Sequence, residues 1–249
     1  MASNNGSALA VVSDIHGNLP ALEAALADIR SLGITRIACT GDLVNYGPFP
    51  NQVIRLVREE GIPTVQGNHD RLVGSEMDTA AYRVKAGRDR EAELACFSWT
   101  KKEVELSLKL HLAGLPATQT LKLGREPILL CHGSPRSSSE YLRADLPTAQ
   151  LEEALAGIRE KVVVCGHTHQ PIILRLPSET FLFNAGSVGR PKGGDPRASY
   201  LILRPGQPPR AEIRRVNYDV EQTLAAVEKA GLPAKLVAAL REGREMTAD

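Results

Sequence analysis

Short apolar runs alternate with amphipathic stretches through the first third of the chain. Residues 8–13 (ALAVVS) are a compact apolar run of the length that suits a buried strand. Leu22, Ala25, Leu26 and Ile29 then recur at helical spacing, with Asn18 placed for an N-cap and Gly33 for a C-cap. Residues 36–40 predict a second strand, Val53, Ile54 and Val57 a second helix, and residues 62–66 a third strand. This β-α-β-α-β order is that of a layered α/β fold with parallel strands.

Residues 71–115 lack strand patterning and read as helical, around Ala92, Leu94, Ala95 and Trp99 and then a leucine-rich stretch. The second half predicts strands at 118–123, 128–131, 162–165, 172–176, 181–183, 199–203 and 211–216, with a helix at 149–158. From residue 219 onward the pattern is that of one or two surface helices, interrupted near Gly231-Leu232-Pro233. No repeat, low-complexity segment or flexible linker divides the chain, so it reads as one domain over 1–249.

Composition narrows the class. With 249 residues, 43% hydrophobic and 24% charged, the chain is ordinary globular material and long enough to bury a large core. A balance of 30 basic against 29 acidic residues argues against coating nucleic acid or anionic membrane by bulk charge. No apolar run approaches the ~18 residues that cross a bilayer, and the start MASNNGSALAVVSD lacks a signal peptide's basic region and cleavage site. Cys39, Cys96, Cys131 and Cys165 include no CxxC pair, which points to reduced thiols and a cytoplasmic setting.

The apolar runs end in a recurring way. ALAVVS runs into Asp14-Ile15-His16, RIACT into Gly41-Asp42, and IPTVQ into Gly67-Asn68-His69-Asp70. ILLC runs into His132-Gly133, and VVVC into Gly166-His167-Thr168-His169. Of six histidines only His111 lies outside these segments, and it reads as an ordinary surface or core residue. In an open α/β sheet the carboxyl ends of parallel strands share an edge where ligands bind, so distant residues converge. The donors are imidazoles, carboxylates and one carboxamide. Such mixed N/O ligation suits Mn, Fe, Zn, Co or Ni better than Ca or Mg. Seven candidates, Asp14, His16, Asp42, Asn68, His132, His167 and His169, exceed the needs of one tetrahedral ion and suffice for two that share a carboxylate.

The order DxH, GD, GNHD, HG, GHTH resembles the signature of the calcineurin-like metallophosphoesterase superfamily. The longer segments DIHGN, GDLVNYGPFPN, VQGNHDR, CHGSP and NAGSVGRPKGGDPRASY resemble its small bacterial and archaeal YfcE-like phosphodiesterase branch. The resemblance runs from about residue 9 to 216. It implies a four-layer αββα sandwich, to which the residue pattern adds a helical insertion near 71–115 and a helical tail over 219–249. It also implies two divalent transition-metal ions, manganese the first choice and Fe, Zn, Ni or Co the alternatives. Asp14, His16 and His169 would hold the first, Asn68, His132 and His167 the second, and Asp42 would bridge them. His69 would not be a ligand but a general acid for the leaving oxygen, or a donor to the transition state. Asp70 would orient its imidazole, a helix N-cap being the other reading of Asp70. NAGS implies a tight turn beneath the site.

The reaction implied is hydrolysis of a small or cyclic nucleotide phosphodiester by in-line attack of a hydroxide shared by two cations. A phosphomonoesterase or protein phosphatase shares the ligand set. A non-enzymatic scaffold of this fold, such as the retromer component, need not keep His69. On the substrate side Arg71, Arg136, Arg190 and Lys192 could meet phosphate, and Tyr46 or Tyr141 could stack on a base. The expected partner is a small phosphoester or nucleotide, with no membrane and no dedicated nucleic-acid platform.

Overall fold

The structure, a computed structural model, describes residues 7–76, 82 and 89–247. The first half of those residues runs β1 (Leu9–Val12), α1 (Leu19–Ser31), β2 (Arg36–Cys39), α2 (Pro50–Glu59), α3 (Asn68–Gly74), α4 (Arg90–Glu103) and α5 (Leu106–Ala113). Then come β3 (Thr118–Leu123), β4 (Glu126–Cys131), α6 (Thr148–Ala154), β5 (Val162–Cys165), β6 (Ile172–Arg175) and β7 (Phe181–Asn184). The chain closes with β8 (Ala198–Arg204), β9 (Arg210–Val216), α7 (Val220–Lys229) and α8 (Ala234–Glu242). Asn18 caps α1 as expected, its side chain accepting from Ala21 N.

One sheet has the order β2-β1-β8-β9 and the other β3-β4-β5-β7-β6. The period of two along each strand builds the layers. On β1, Leu9 and Val11 face the second sheet, where they join Ile128 and Leu130 of β4 and Val162 and Val164 of β5. The alternate residues Ala10 and Val12 pack under α1 and α2 with Leu22, Leu26, Val53 and Val57. On the far side Leu129, Cys131, Val163 and Cys165 pack against Leu151 and Ala154 of α6. The result is the four-layer αββα sandwich. All four cysteines are buried and free, and burial pushes the thiols up, that of Cys165 to about 12.

The structure corrects two expectations. Residues 62–66 form no strand but a single parallel bridge, Thr64 to Cys39. Pro63 has no N–H to extend the ladder, and Gln66 N turns away to Pro116 O. The sheets are also mixed rather than parallel throughout: β1 runs parallel to β2, and β4 to β5 and β5 to β7, while β3, β6, β8 and β9 pair antiparallel. The polar strand ends therefore come from two sheets meeting across the sandwich, not from one continuous edge. Helices fill the described part of 71–115, but residues 77–81 and 83–88 lie outside the described residues.

Candidate metal centre

The loops after β1, β2, β4 and β5 are tied to one another before any ion is considered. Asp14 N donates to Gly41 O, His16 N to Asp42 O and Gly166 N to His132 O, at 2.8–3.0 Å. Asp14, His16, Asp42, His167 and His169 all adopt left-handed backbone, with φ between +49° and +66°. A non-glycine residue in that region costs about 1–3 kcal/mol, so five together mark a site that the surrounding fold holds under strain. Gly166 permits the closest approach: a Cβ there would stand 1.9 Å from Ser13 Oγ and 2.6 Å from Asp14 Oδ2.

Two buried clusters result. Donor atoms of Asp14, His16 and His169 lie within 4.8 Å of one another, and so do those of Asp42, His132 and His167. Asn68 joins the second, its Oδ1 3.1 Å from His132 Nε2. Asp42 faces both, with Oδ2 3.1 Å from His132 Nε2 and 3.8 Å from His16 Nε2.

The imidazoles are oriented from behind. Nδ1 of His16 donates to Val44 O, that of His132 to Thr40 O and that of His169 to Arg190 O, at 2.9, 2.7 and 2.6 Å. A proton fixed on Nδ1 leaves the lone pair on Nε2, aimed into the site. His16 Nε2 and His169 Nε2 then face each other at 3.1 Å with no proton assigned between them by this arrangement. The carboxylates follow the same rule. Asp14 Oδ2 accepts from Ser13 Oγ and His167 N, while buried Oδ1 makes no hydrogen bond. Asp42 Oδ1 accepts from His69 N, which leaves Oδ2 to face the clusters. His167 Nε2 is likewise buried without a hydrogen-bond partner. Converging lone pairs and orphaned carboxylate oxygens are what cations satisfy, so the donor set fits a pair of divalent ions.

The electrostatics agree. Burial works against the Asp14 carboxylate, but His169, His16 and His132 outweigh it and hold it well below the usual range. Asp42 is also lowered: the charge of His132 overcomes its burial. Burial opposes a proton on His132, yet Asp42 and Asp14 push it up to about 10. His167 and His169 fall to about 3, through burial first. In the metal-free protein His132 therefore holds a second proton, on Nε2, at neutral pH, and a cation must displace it to reach that lone pair. Metal affinity at the second cluster should rise with pH up to about 10. Calorimetric titration at pH 7.5 in buffers of different ionisation enthalpy should register release of about one proton per ion bound there. A heat independent of buffer would contradict the assignment.

His69 sits beside this centre, buried, with Asn45 Nδ2 2.9 Å from its Nδ1. An amide donating to Nδ1 puts the imidazole proton on Nε2. Burial pushes His69 down to about 3, so the ring is neutral at physiological pH. Asp70 departs from expectation. It does not hold the His69 ring; its Oδ2 accepts from Asp42 N and Gly67 N, and its Oδ1 from Leu43 N, at 2.8–3.0 Å. Its position as third residue of α3 closes a capping arrangement on Gly67 N and pins the loop that carries Asp42. Burial and the neighbouring Asp42 push it up to about 7. Asp70→Asn loses one acceptor oxygen and sets an NH2 against a buried N–H. It should cost about 1–3 kcal/mol, lowering Tm by roughly 2–12 °C in a chain of this size, with weaker metal retention. An unchanged Tm in calorimetry would count against the tether.

A cleft of about 170 Å³ opens beside the clusters, lined among others by Asn68, His69, Glu93, Tyr141, Arg190 and Lys192. Of the basic candidates, Arg71 is exposed and Arg136 turns outward to Glu140, at 2.5 Å. Arg190 and Lys192 remain on the cleft wall. Tyr46 is not available to a base: its ring is buried against His16 and His69, and its hydroxyl donates to Glu93 Oε2 at 2.5 Å. Tyr141 stays at the cleft, its ring 4.0 Å from that of His167. The turn at residues 184–187 does lie beneath the site, with Ser187 Oγ donating to Asp14 O. Asn45 and Glu93 were not legible as site residues. Asn45 stands three residues past Asp42, with no spacing rule to mark it, and Glu93 belongs to a helix remote in sequence.

Such a centre on an αββα sandwich defines a metallophosphoesterase. Residues 8–206 match the calcineurin-like phosphoesterase superfamily domain, and the chain belongs to that superfamily. Over 255 aligned residues it is 32% identical to the uncharacterized protein MJ0912 of Methanocaldococcus jannaschii, covering 96% of this chain and 99% of that one. It is 31% identical over 195 residues to the phosphodiesterase YfcE of Escherichia coli, covering 78% of this chain and 86% of YfcE. The crystal structure of a metallophosphoesterase from Sphaerobacter thermophilus superposes with a TM-score of 0.74 at 30% identity, covering 95% of this chain and 98% of that one. The YfcE-like branch read from the motifs is thus the right one, and the superfamily implies divalent metal ions. Among the described residues no helix is long and apolar enough to cross a membrane.

Proposed function

We propose that the protein is a metal-dependent phosphodiesterase acting on a small or cyclic nucleotide phosphodiester. The observation that carries this reading is the pair of buried clusters with Asp42 facing both and a neutral His69 beside them outside the donor set. Asp14, His16 and His169 would hold one ion, Asn68, His132 and His167 the other, and Asp42 would join them, with manganese the first candidate metal. When bound, two cations supply Lewis acidity that offsets charge on the phosphoryl oxygens and makes water a stronger acid.

The chain's own residues do the rest. Asp14 and Asp42 each keep one oxygen on backbone or hydroxyl donors, so the other oxygen does not swing away. The carbonyls of Val44, Thr40 and Arg190 lock the imidazoles. His69, its Nδ1 engaged by Asn45, donates a hydrogen bond from Nε2–H to the charge that develops on the departing oxygen. The name of the relative YfcE, a phosphodiesterase, favours diesters over monoesters.

The experiment compares kcat/KM on aryl phosphodiesters and aryl phosphomonoesters, with the protein reconstituted separately with Mn, Ni, Co, Zn and Mg. The reading expects the diester to be the better substrate with at least one transition metal. A monoester preferred with every metal would replace it by the phosphomonoesterase reading.

A further inference from the structure

Among the described residues the side chain of Arg190 is the largest one wholly buried, at 1% exposure, and its Nε, Nη1 and Nη2 make no hydrogen bond there. A guanidinium carries five N–H donors, and leaving all of them unmet inside a protein is strongly unfavourable unless something arrives to meet them. The backbone of the same residue is fully used: Arg190 N donates to Ser187 Oγ, and its carbonyl holds His169 Nδ1. The main chain is thus pinned to the metal centre while the charged end has no partner at hydrogen-bond distance.

What does surround the guanidinium holds it loosely. Its Cζ rests 3.9 Å from the centroid of the Tyr46 ring, a cation–π contact. Glu93 Oε1 stands 3.9 Å from Nη2, whereas a formed arginine–carboxylate pair closes to about 2.7–2.9 Å. Glu93 is turned elsewhere, its Oε2 taken by the Tyr46 hydroxyl. Arg190 lines the same cleft as Asn68 and His69, and Lys192 beside it adds a second positive charge that acts on His169. A planar fork with unspent donors matches the oxygens of a phosphate, which accept two parallel N–H bonds from it.

We propose that Arg190 is the residue by which this cleft takes the phosphate group of its substrate. The guanidinium rests over Tyr46, and on entry of a phosphoester it turns its fork onto the phosphoryl oxygens. The inference rests on the phosphoesterase reading for the identity of the substrate, but the binding step itself requires no turnover.

The test uses inorganic phosphate as the probe and isothermal titration of the metal-reconstituted protein. Arg190→Met keeps the length of the side chain and removes its charge and fork. Phosphate should bind at least about tenfold more weakly to this variant, with metal content unchanged. With an aryl diester the KM should rise more than kcat falls. Unchanged phosphate affinity would overturn the proposal and make Arg190 a structural counter-ion of Glu93. Should Arg190→Met fail to fold, the double variant Arg190→Met/Glu93→Gln removes both buried charges together. Weak phosphate binding there supports the proposal, and wild-type affinity there overturns it. A protein that binds phosphate through Arg190 yet hydrolyses no ester would instead contradict the catalytic reading alone.

Discussion

His69→Asn lowers kcat by ~100- to 1,000-fold and leaves the metal content unchanged, the range expected for loss of one preorganised hydrogen-bond donor to developing charge. The geometry separates His69 from the other histidines of the site. Its Nδ1 faces the Asn45 amide rather than a backbone carbonyl, and the clusters assemble their donors without it. Because the departing oxygen is what Nε2–H serves, the loss should grow as the leaving group worsens. An aryl diester with an acidic phenol should suffer least and an alkyl or ribose ester most. Equal losses over leaving groups of widely different pKa would show that Nε2–H does not act on the departing oxygen. Loss of a metal ion from His69→Asn would make it a ligand. Asn45→Ala should reproduce part of the effect by freeing the ring tautomer.

The second large effect is expected at Asp42. Its Oδ2 is the carboxylate oxygen that both clusters share, and its Oδ1 is already occupied by His69 N. Asp42→Asn keeps the shape and removes the charge. A neutral amide bridges two cations poorly, so both occupancies should fall. Activity should drop by at least ~100-fold, the upper end of what loss of a group merely supporting a ligand produces. Metal analysis in which only one ion is lost would show that Asp42 serves one site and does not bridge. The partner of this test is Asp70→Asn, which should loosen the Asp42 loop from behind with the carboxylate still present.

Much of this centre was legible in the sequence because the chemistry follows the strands. Short apolar runs at the ends of β1, β2, β4 and β5 fix where each chain segment stops, and the polar residues after them must emerge at that point. The motif order then supplied a division of ligands that spacing alone did not. Periodicity could not tell which strands share a sheet. The antiparallel β8 pairs with β1 and the long hairpin β3–β4 edges the other sheet, so convergence occurs across two sheets. The missing strand at 62–66 had the right apolar content, but Pro63 removes a ladder donor and Gly67 opens α3 directly afterward. Asp70 misled for a different reason. A carboxylate next to a histidine suggests a pair, yet successive residues at a helix start point in different directions, and Asp70 found three backbone N–H groups instead. The contact of Arg190 with Tyr46 and Glu93 joins three segments far apart in sequence, and no local pattern announces it.

The central claim is that seven side chains hold two cations in one shared site. The most direct test is metal analysis of the chain after removal of metal and reconstitution with excess manganese, followed by desalting and measured alongside diesterase activity. Two ions per chain, with activity appearing as the second site fills, is the predicted result. A plateau at one ion, or full activity in the metal-free protein, would contradict it.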